Sequence, residues 1–274
     1  MSQEVRTFNI SQPCDLAIDK GKGFLFVSTK DGHIIKLKDF KKIVKSWTFP
    51  ITTNDGEAHC SVPHVFALSP SNIFVLSVES REIFKFDLNL ENRKIIKCNG
   101  IHSYPFGMSL DKDGVIYISV LSESKIFKMG QKDEFVPFVD MKKNRPLFFF
   151  ELPLPSLLKI SNDGFFYVLD AGGNRVLKYG KNGKFVSAWG GQGLKNGQFD
   201  DPNGLAIDLK GNVYVADSKN NRIEVFSENG NFISKIDRVE NLNFSYPAGL
   251  TTDENGFLYV ADLGNNRIVR MKCP

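Results

Sequence analysis

The 274-residue sequence predicts an all-β fold of six four-stranded antiparallel blades closed into a ring, and three observations carry that expectation. Six proline-led segments recur 42 to 50 residues apart: PCDLAID from Pro13, PHVFALS from Pro63, PFGMSLD from Pro105, PSLLKIS from Pro155, PNGLAID from Pro202 and PAGLTTD from Pro247. Each is followed by a turn rich in Gly, Asn or Asp and then by a short run that is apolar at every position. The last repeat stops one strand short, while the chain opens with a spare strand. A period of roughly 40 to 50 residues is that of propeller blades, whereas the coils of a β-helix are far shorter. The expected architecture is a six-bladed β-propeller, with residues 1–274 as one domain.

The proline segment supplies the first strand of each blade. The turns after it, such as Lys112-Asp113-Gly114, Asn162-Asp163-Gly164 and Glu254-Asn255-Gly256, offer the positive φ angles that tight hairpins need. Next come FLFV at Phe24, IFVL at Ile73, VIYI at Val115, FFYV at Phe165, VYVA at Val213 and LYVA at Leu258. A strand apolar at every position must be covered on both faces, as blades stacked around an axis cover their inner strands. Third strands follow (IIKL, IFKF, IFKM, VLKY, IEVF, IVRM), and five repeats add a fourth, as at Phe185 to Ala188 and Phe232 to Ile236. In the first repeat the basic run from Lys36 to Lys45 spans the outer hairpin and reads as a solvated edge protected by lysines. The spare strand, residues 4–10, is expected to complete the last blade by antiparallel pairing with Ile268 to Lys272, which covers an otherwise open edge.

Composition narrows function less than fold. The chain is 42% hydrophobic and 24% charged, the range of an ordinary folded protein, and its net charge of +4 neither requires nor excludes a nucleic-acid partner. The opening MSQEVRTFNI has no basic segment followed by an apolar one, and no apolar run nears the roughly 18 residues that span a bilayer. A cytoplasmic monomer with no membrane partner is expected. Cys14, Cys60, Cys98 and Cys273 form no CxxC pair, so they read as free thiols instead of a zinc knuckle or redox pair.

From Gly191 to Phe226 the sequence GQGLKNGQFDDPNGLAIDLKGNVYVADSKNNRIEVF closely resembles the NHL repeat. A second copy runs from Tyr246 to Met271 and a third from Leu169 to Tyr179. In these repeats an Asp ends the second strand and an Arg starts the third: Asp170 with Arg175, Asp217 with Arg222, Asp262 with Arg267. A feature repeated in every good copy serves the blade, with the Asp accepting backbone hydrogen bonds from the following turn and the Arg fork reaching that carboxylate or nearby carbonyls. The first three repeats lose the pair: His33, Glu82 and Lys125 stand at the Arg position and Thr29, Ser77 and Val120 at the Asp position.

The resemblance places the loops between blades on one face, around the mouth of the central channel, where binding residues concentrate. Two of those loops are long, Phe49 to Pro63 and Asp140 to Pro155. The second offers Lys142, Lys143 and Arg145 beside Phe148, Phe149 and Phe150, a set suited to anchoring a protein or peptide, or to stacking and pairing with single-stranded RNA as some NHL propellers do. His59, His64 and His102 fall in one sector of the same face. Six-bladed relatives include a lyase that holds zinc with propeller histidines and lactonase-like enzymes that hold calcium with carboxylates and Asn in the channel. Three imidazoles with an open position would suit catalytic zinc, but no HxH or HExxH spacing fixes them together. For calcium, Asp15 and Asn203 alone are too few. No cofactor is therefore expected, zinc or calcium being the alternatives. The functions left open are a non-enzymatic module for a protein or peptide, a metal-dependent hydrolase or lyase, and an RNA-binding propeller.

Overall fold

A computed structural model describes residues 5–19, 21–48, 65–144, 146 and 151–274. Strand β1 is Arg6–Asn9. Blade 1 consists of β2 (Pro13–Ile18), β3 (Phe24–Thr29), β4 (His33–Lys38) and β5 (Lys42–Thr48). Blade 2 has β6 (Val65–Leu68), β7 (Asn72–Ser77), β8 (Glu82–Asp87) and β9 (Lys94–Lys97), and blade 3 has β10 (Gly107–Leu110), β11 (Ile116–Val120), β12 (Lys125–Met129) and β13 (Phe135–Asp140). Blade 4 is β14 (Pro155–Ile160), β15 (Phe166–Asp170), β16 (Arg175–Tyr179) and β17 (Phe185–Gly190). Blade 5 is β18 (Pro202–Ile207), β19 (Val213–Asp217), β20 (Arg222–Phe226) and β21 (Phe232–Ile236). A small hairpin, β22 (Arg238–Val239) with β23 (Leu242–Asn243), precedes β24 (Pro247–Thr252), β25 (Phe257–Asp262) and β26 (Arg267–Lys272) of blade 6. Each blade is an antiparallel meander in chain order, except that β1 completes blade 6.

Pro13, Pro155, Pro202 and Pro247 open their strands because an innermost strand is a sheet edge, where a missing N–H costs no ladder bond. The apolar second strands are buried as expected, with β11, β15, β19 and β25 covered along their whole length. Their two faces meet different neighbours, so that Tyr214 and Val225 of blade 5, for example, share a core with Leu250, Leu258, Val260 and Val269 of blade 6. Inner strands approach backbone to backbone: a Cβ on Gly204 would collide with the Ala248 carbonyl oxygen, so only glycine fits there. No helix among the described residues is long and apolar enough to cross a membrane.

The ring closes through β1, with Arg6 opposite Arg270, Thr7 opposite Val269, Phe8 opposite Ile268 and Asn9 opposite Arg267. The register lies nearer the start of the third strand than the expected 268–272, because the Ile10 N–H bonds the Asn266 carbonyl at 3.0 Å. Ile10 is buried and Phe8 packs against Phe40. Residue 4, the expected first residue of this strand, lies outside the described residues. The solvated-edge expectation fails at Lys36. It is 4% exposed, its Nζ lies 3.7 Å from the Phe24 ring centroid, and it donates to Asn89 Oδ1 at 3.2 Å on the next blade. Burial lowers its pKa. Third-strand side chains on this face lie between blades, so of the lysines in that run Lys36 is buried, Lys45 is half-buried, and Lys38, Lys41 and Lys42 are exposed.

Candidate functional site: the upper face

The upper face is formed by the turns between second and third strands together with the lead-in segments that connect one blade to the next. In the C-terminal half the Asp–Arg pairs fasten those segments. Arg175 Nε lies 2.7 Å from Asp170 Oδ2, Arg222 Nε 2.8 Å from Asp217 Oδ2 and Arg267 Nε 2.7 Å from Asp262 Oδ2. The other carboxylate oxygen accepts a backbone N–H from the segment entering the same blade: Leu154, Asp200 and Ser245 respectively, each at 2.7 Å. The expected donor was the following turn. Its own N–H groups are not what the carboxylate meets, because the lead-in segment lies across it.

Blade 5 is the most heavily tied. Arg222 donates through Nη1 to the Leu194 carbonyl at 2.8 Å and through Nη2 to those of Lys195 and Gln198 at 2.9 and 2.8 Å. Glu224, fully buried beside it, has Oε1 2.9 Å from Arg222 Nη2 and accepts the Gly197 N–H on Oε2 at 2.8 Å. Burial pushes the Glu224 carboxyl up to about 7, opposed by that N–H and by Arg222.

A second fastening runs between blades. Asn174, Asn221 and Asn266 stand just before the third strand at φ of 45°, 53° and 51°, left-handed values that Asn tolerates. Their Oδ1 atoms accept the N–H of Asp201, Tyr246 and Gln12, at 2.9, 2.8 and 2.9 Å, on the next blade around the ring. Each of those acceptors' partners directly precedes the proline of its repeat and is itself left-handed, at φ of 56°, 48° and 44°. The Asn is thus a latch that holds the next lead-in segment in a strained turn. At the same position in blades 1, 2 and 3 stand Gly32, Arg81 and Ser124, at φ of 82°, 53° and 54°. The backbone keeps its role there, since the Arg81 carbonyl accepts the Cys98 N–H at 3.1 Å and that of Ser124 the Met141 N–H at 2.9 Å. The amide latch is gone.

One tripeptide exposes the consequence. Ser245-Tyr246-Pro247 leads into blade 6 and Ser103-Tyr104-Pro105 into blade 3. Tyr246 is latched by Asn221, and its hydroxyl donates to Asp201 Oδ2 at 2.6 Å, while burial pushes its pKa up to about 12. Tyr104 follows Arg81 instead, and is 64% exposed. His102 is exposed beside it, and its carbonyl lies 3.5 Å from Arg81 Nη1. A cavity of about 360 Å³ opens between Arg81, Glu82, Lys97 and the turn from Cys98 to Ile101.

Among the other residues singled out by sequence, Lys142 and Lys143 are exposed, and their N–H groups bond Asp140 Oδ1 at 3.1 and 3.3 Å. Arg145, Phe148, Phe149 and Phe150 lie outside the described residues, as do His59, His64 and Cys60. Among the described residues no three His, Cys, Asp or Glu side chains gather to hold a metal. Asp15 does not fit a calcium cage: it is buried, burial raises its pKa, and Oδ2 accepts the Phe66 N–H at 2.9 Å. Asn203 is engaged too, donating to the Asp201 carbonyl at 3.0 Å and the Tyr246 hydroxyl at 3.3 Å.

Residues that sequence reasoning missed include the three Asn latches and a clasp on the lower face. There Asp111, Asp208 and Asp253 cap the first turn of their blades and accept the hydroxyls of Tyr117, Tyr214 and Tyr259 at 3.2, 3.0 and 3.0 Å. The recurrent Asn-Arg pair and the Asp-to-Tyr spacing of six were the available signals.

Six meandering sheets in a closed ring, with lead-in segments fastened on one face, define a six-bladed β-propeller. Residues 199–226 and 244–271, in blades 5 and 6 of this propeller, match the NHL repeat. Solved structures show the same fold at low identity. A protein of unknown function from Bacteroides thetaiotaomicron has a TM-score of 0.75 at 13% identity, over 99% of this chain and 76% of that one. A streptogramin B lyase has a TM-score of 0.67 at 14% identity, over 100% of this chain and 99% of the other. A catalytically inactive virginiamycin B lyase from Staphylococcus aureus with quinupristin has a TM-score of 0.65 at 12% identity, over 100% of both chains.

Proposed function

We propose that the protein is a non-enzymatic binding module, a rigid ring that presents the lead-in segments of blades 2, 3 and 4 to a protein or peptide partner. An NHL propeller supports a binding role in general. The observation that carries this particular surface is the contrast between latched Tyr246 and exposed Tyr104 at the same place in the repeat. A large aromatic left in water at a loop tip, on a segment without a side-chain latch, suits the anchor of an interface. The same reading gives Lys142, Lys143, Arg145, Phe148, Phe149 and Phe150 to the partner as an adjoining patch.

Immobilised protein should capture a partner that mass spectrometry identifies, and Tyr104→Ala should weaken capture about tenfold, an ordinary loss for an interface anchor. Leu209→Ala serves as the control, because Leu209 is 56% exposed in a turn of the lower face. Both variants should melt within about 1 °C of the parent, as surface changes do. Equal capture by Tyr104→Ala and the parent would contradict the proposal.

A metal-dependent lyase or hydrolase at the channel mouth is the second reading. It is favoured by the exposure of His102 in this sector and the fold shared with lyases, and it would draw on His59, His64 and His102 for zinc. Stoichiometric zinc in protein purified without chelator, lost in His102→Ala, would favour it.

A further inference from the structure

We propose that Arg81 and Lys97 form an anion pocket on the upper face of blade 2 that seats a carboxylate side chain of an acidic peptide, with Tyr104 as the neighbouring apolar anchor. The inference rests on the binding-module reading and names the chemistry of its partner.

Arg81 occupies a position whose backbone asks for Asn. At φ of 53° a long side chain is disfavoured, by roughly 1–2 kcal/mol relative to the usual helical or extended conformations. Blades 4 to 6 meet the same demand with Asn and gain a latch from it. Blade 2 keeps the strained backbone and forgoes the latch, placing a guanidinium there instead. That guanidinium has five donors, and among the described residues its one bond is the long contact with the His102 carbonyl at 3.5 Å. It lines the cavity of about 360 Å³ together with Lys97, whose ammonium has no hydrogen-bond or ion-pair partner among the described residues. Glu82 stands opposite Lys97 in the sheet register and also lines the cavity, yet pairs with neither cation within ion-pair distance. Two cations face one carboxylate, which leaves room for another.

A planar guanidinium fork matches a carboxylate in bidentate fashion, and the compact ammonium adds a second point of charge. Tyr104 follows His102 by two residues, so an occupant held by Arg81 has an exposed ring beside it. An acidic peptide fits this better than RNA does. A run of phosphates would meet Glu79, Glu82 and Glu123 on the same sector, whereas a single carboxylate beside an apolar residue needs only the pocket and the ring.

The test is selection of a random dodecapeptide library displayed on phage against the full chain, then fluorescence anisotropy with the synthesised winners. Acidic residues beside an apolar one should be enriched. The charge reversal Arg81→Glu with Lys97→Glu should weaken those peptides at least tenfold, and selection on that variant should turn to basic peptides. Arg81→Asn is the sharper variant, since it should raise Tm by about 2 °C by relieving the backbone while it loses the acidic peptides. A merely structural Arg81 would not couple a gain in Tm to a loss of binding. Winners without acidic residues, still lost in Tyr104→Ala, would overturn the acidic pocket and leave the binding module standing. No winners at all would overturn both, and tighter binding to a dodecameric RNA than to any peptide would overturn the acidic pocket in favour of nucleic acid.

Discussion

The sequence Ser-Tyr-Pro occurs twice, leading into blade 3 and into blade 6, and the two copies end in different surroundings. In blade 6, Asp262 takes the Ser245 N–H, Asn221 takes the Tyr246 N–H and Asp201 takes the Tyr246 hydroxyl. In blade 3 the position of Asp262 is Val120 and that of Asn221 is Arg81, so Tyr104 stays in water. The local sequence is the same, and the blade it enters decides the outcome together with the preceding one. An inter-blade segment is therefore governed by what both flanking blades offer. Blades 4 to 6, which keep Asp, Arg and Asn, fasten the segments that enter them, whereas the segment into blade 3 leaves Tyr104 in water.

This contrast can be broken most severely at Arg222. Removing a buried guanidinium leaves Asp217 and Glu224 uncompensated, so Arg222→Ala should cost about 3–5 kcal/mol in urea denaturation. Lys125, at the matching position of blade 3, is partly exposed and pairs with Glu123 at 3.2 Å. Lys125→Ala should cost under ~1 kcal/mol. Comparable losses in the two variants would mean that the blades are fastened alike.

A smaller effect is expected at the latch itself. Asn221→Ala removes one hydrogen bond and puts Ala into a left-handed backbone, for a loss of roughly 2 kcal/mol. Ser124→Ala, equally left-handed but with no side-chain latch, should change stability by less than ~0.5 kcal/mol. Equal values would place the stabilisation in the turn and remove the latch from it.

Much of the fold was legible because blades repeat and their signals are local: a proline that opens an edge strand, a turn that needs positive φ, and an apolar run that needs two covered faces. Ring closure was legible for the same reason, since an unpaired strand at one end and a missing one at the other have only each other. Lys36 was misread because a lysine in a basic run looks solvated, while its ammonium is taken up by Phe24 of its own blade and by Asn89 of the next. The latches escaped because Asn before Arg reads as an ordinary turn residue. Its partner lies 25 to 27 positions away in two cases and at the other end of the chain in the third. Arg81 and Tyr104 carry no motif of their own and become visible only when each is laid beside its counterpart in a latched blade.

Hydrogen exchange measured with and without the captured partner bears most directly on the division of the ring. Binding through the unlatched sector should slow exchange in 49–64, 98–106 and 141–154, and leave 191–201 and 237–246 unchanged. Protection centred on 191–201 and 237–246, or on the lower-face turns, would contradict it.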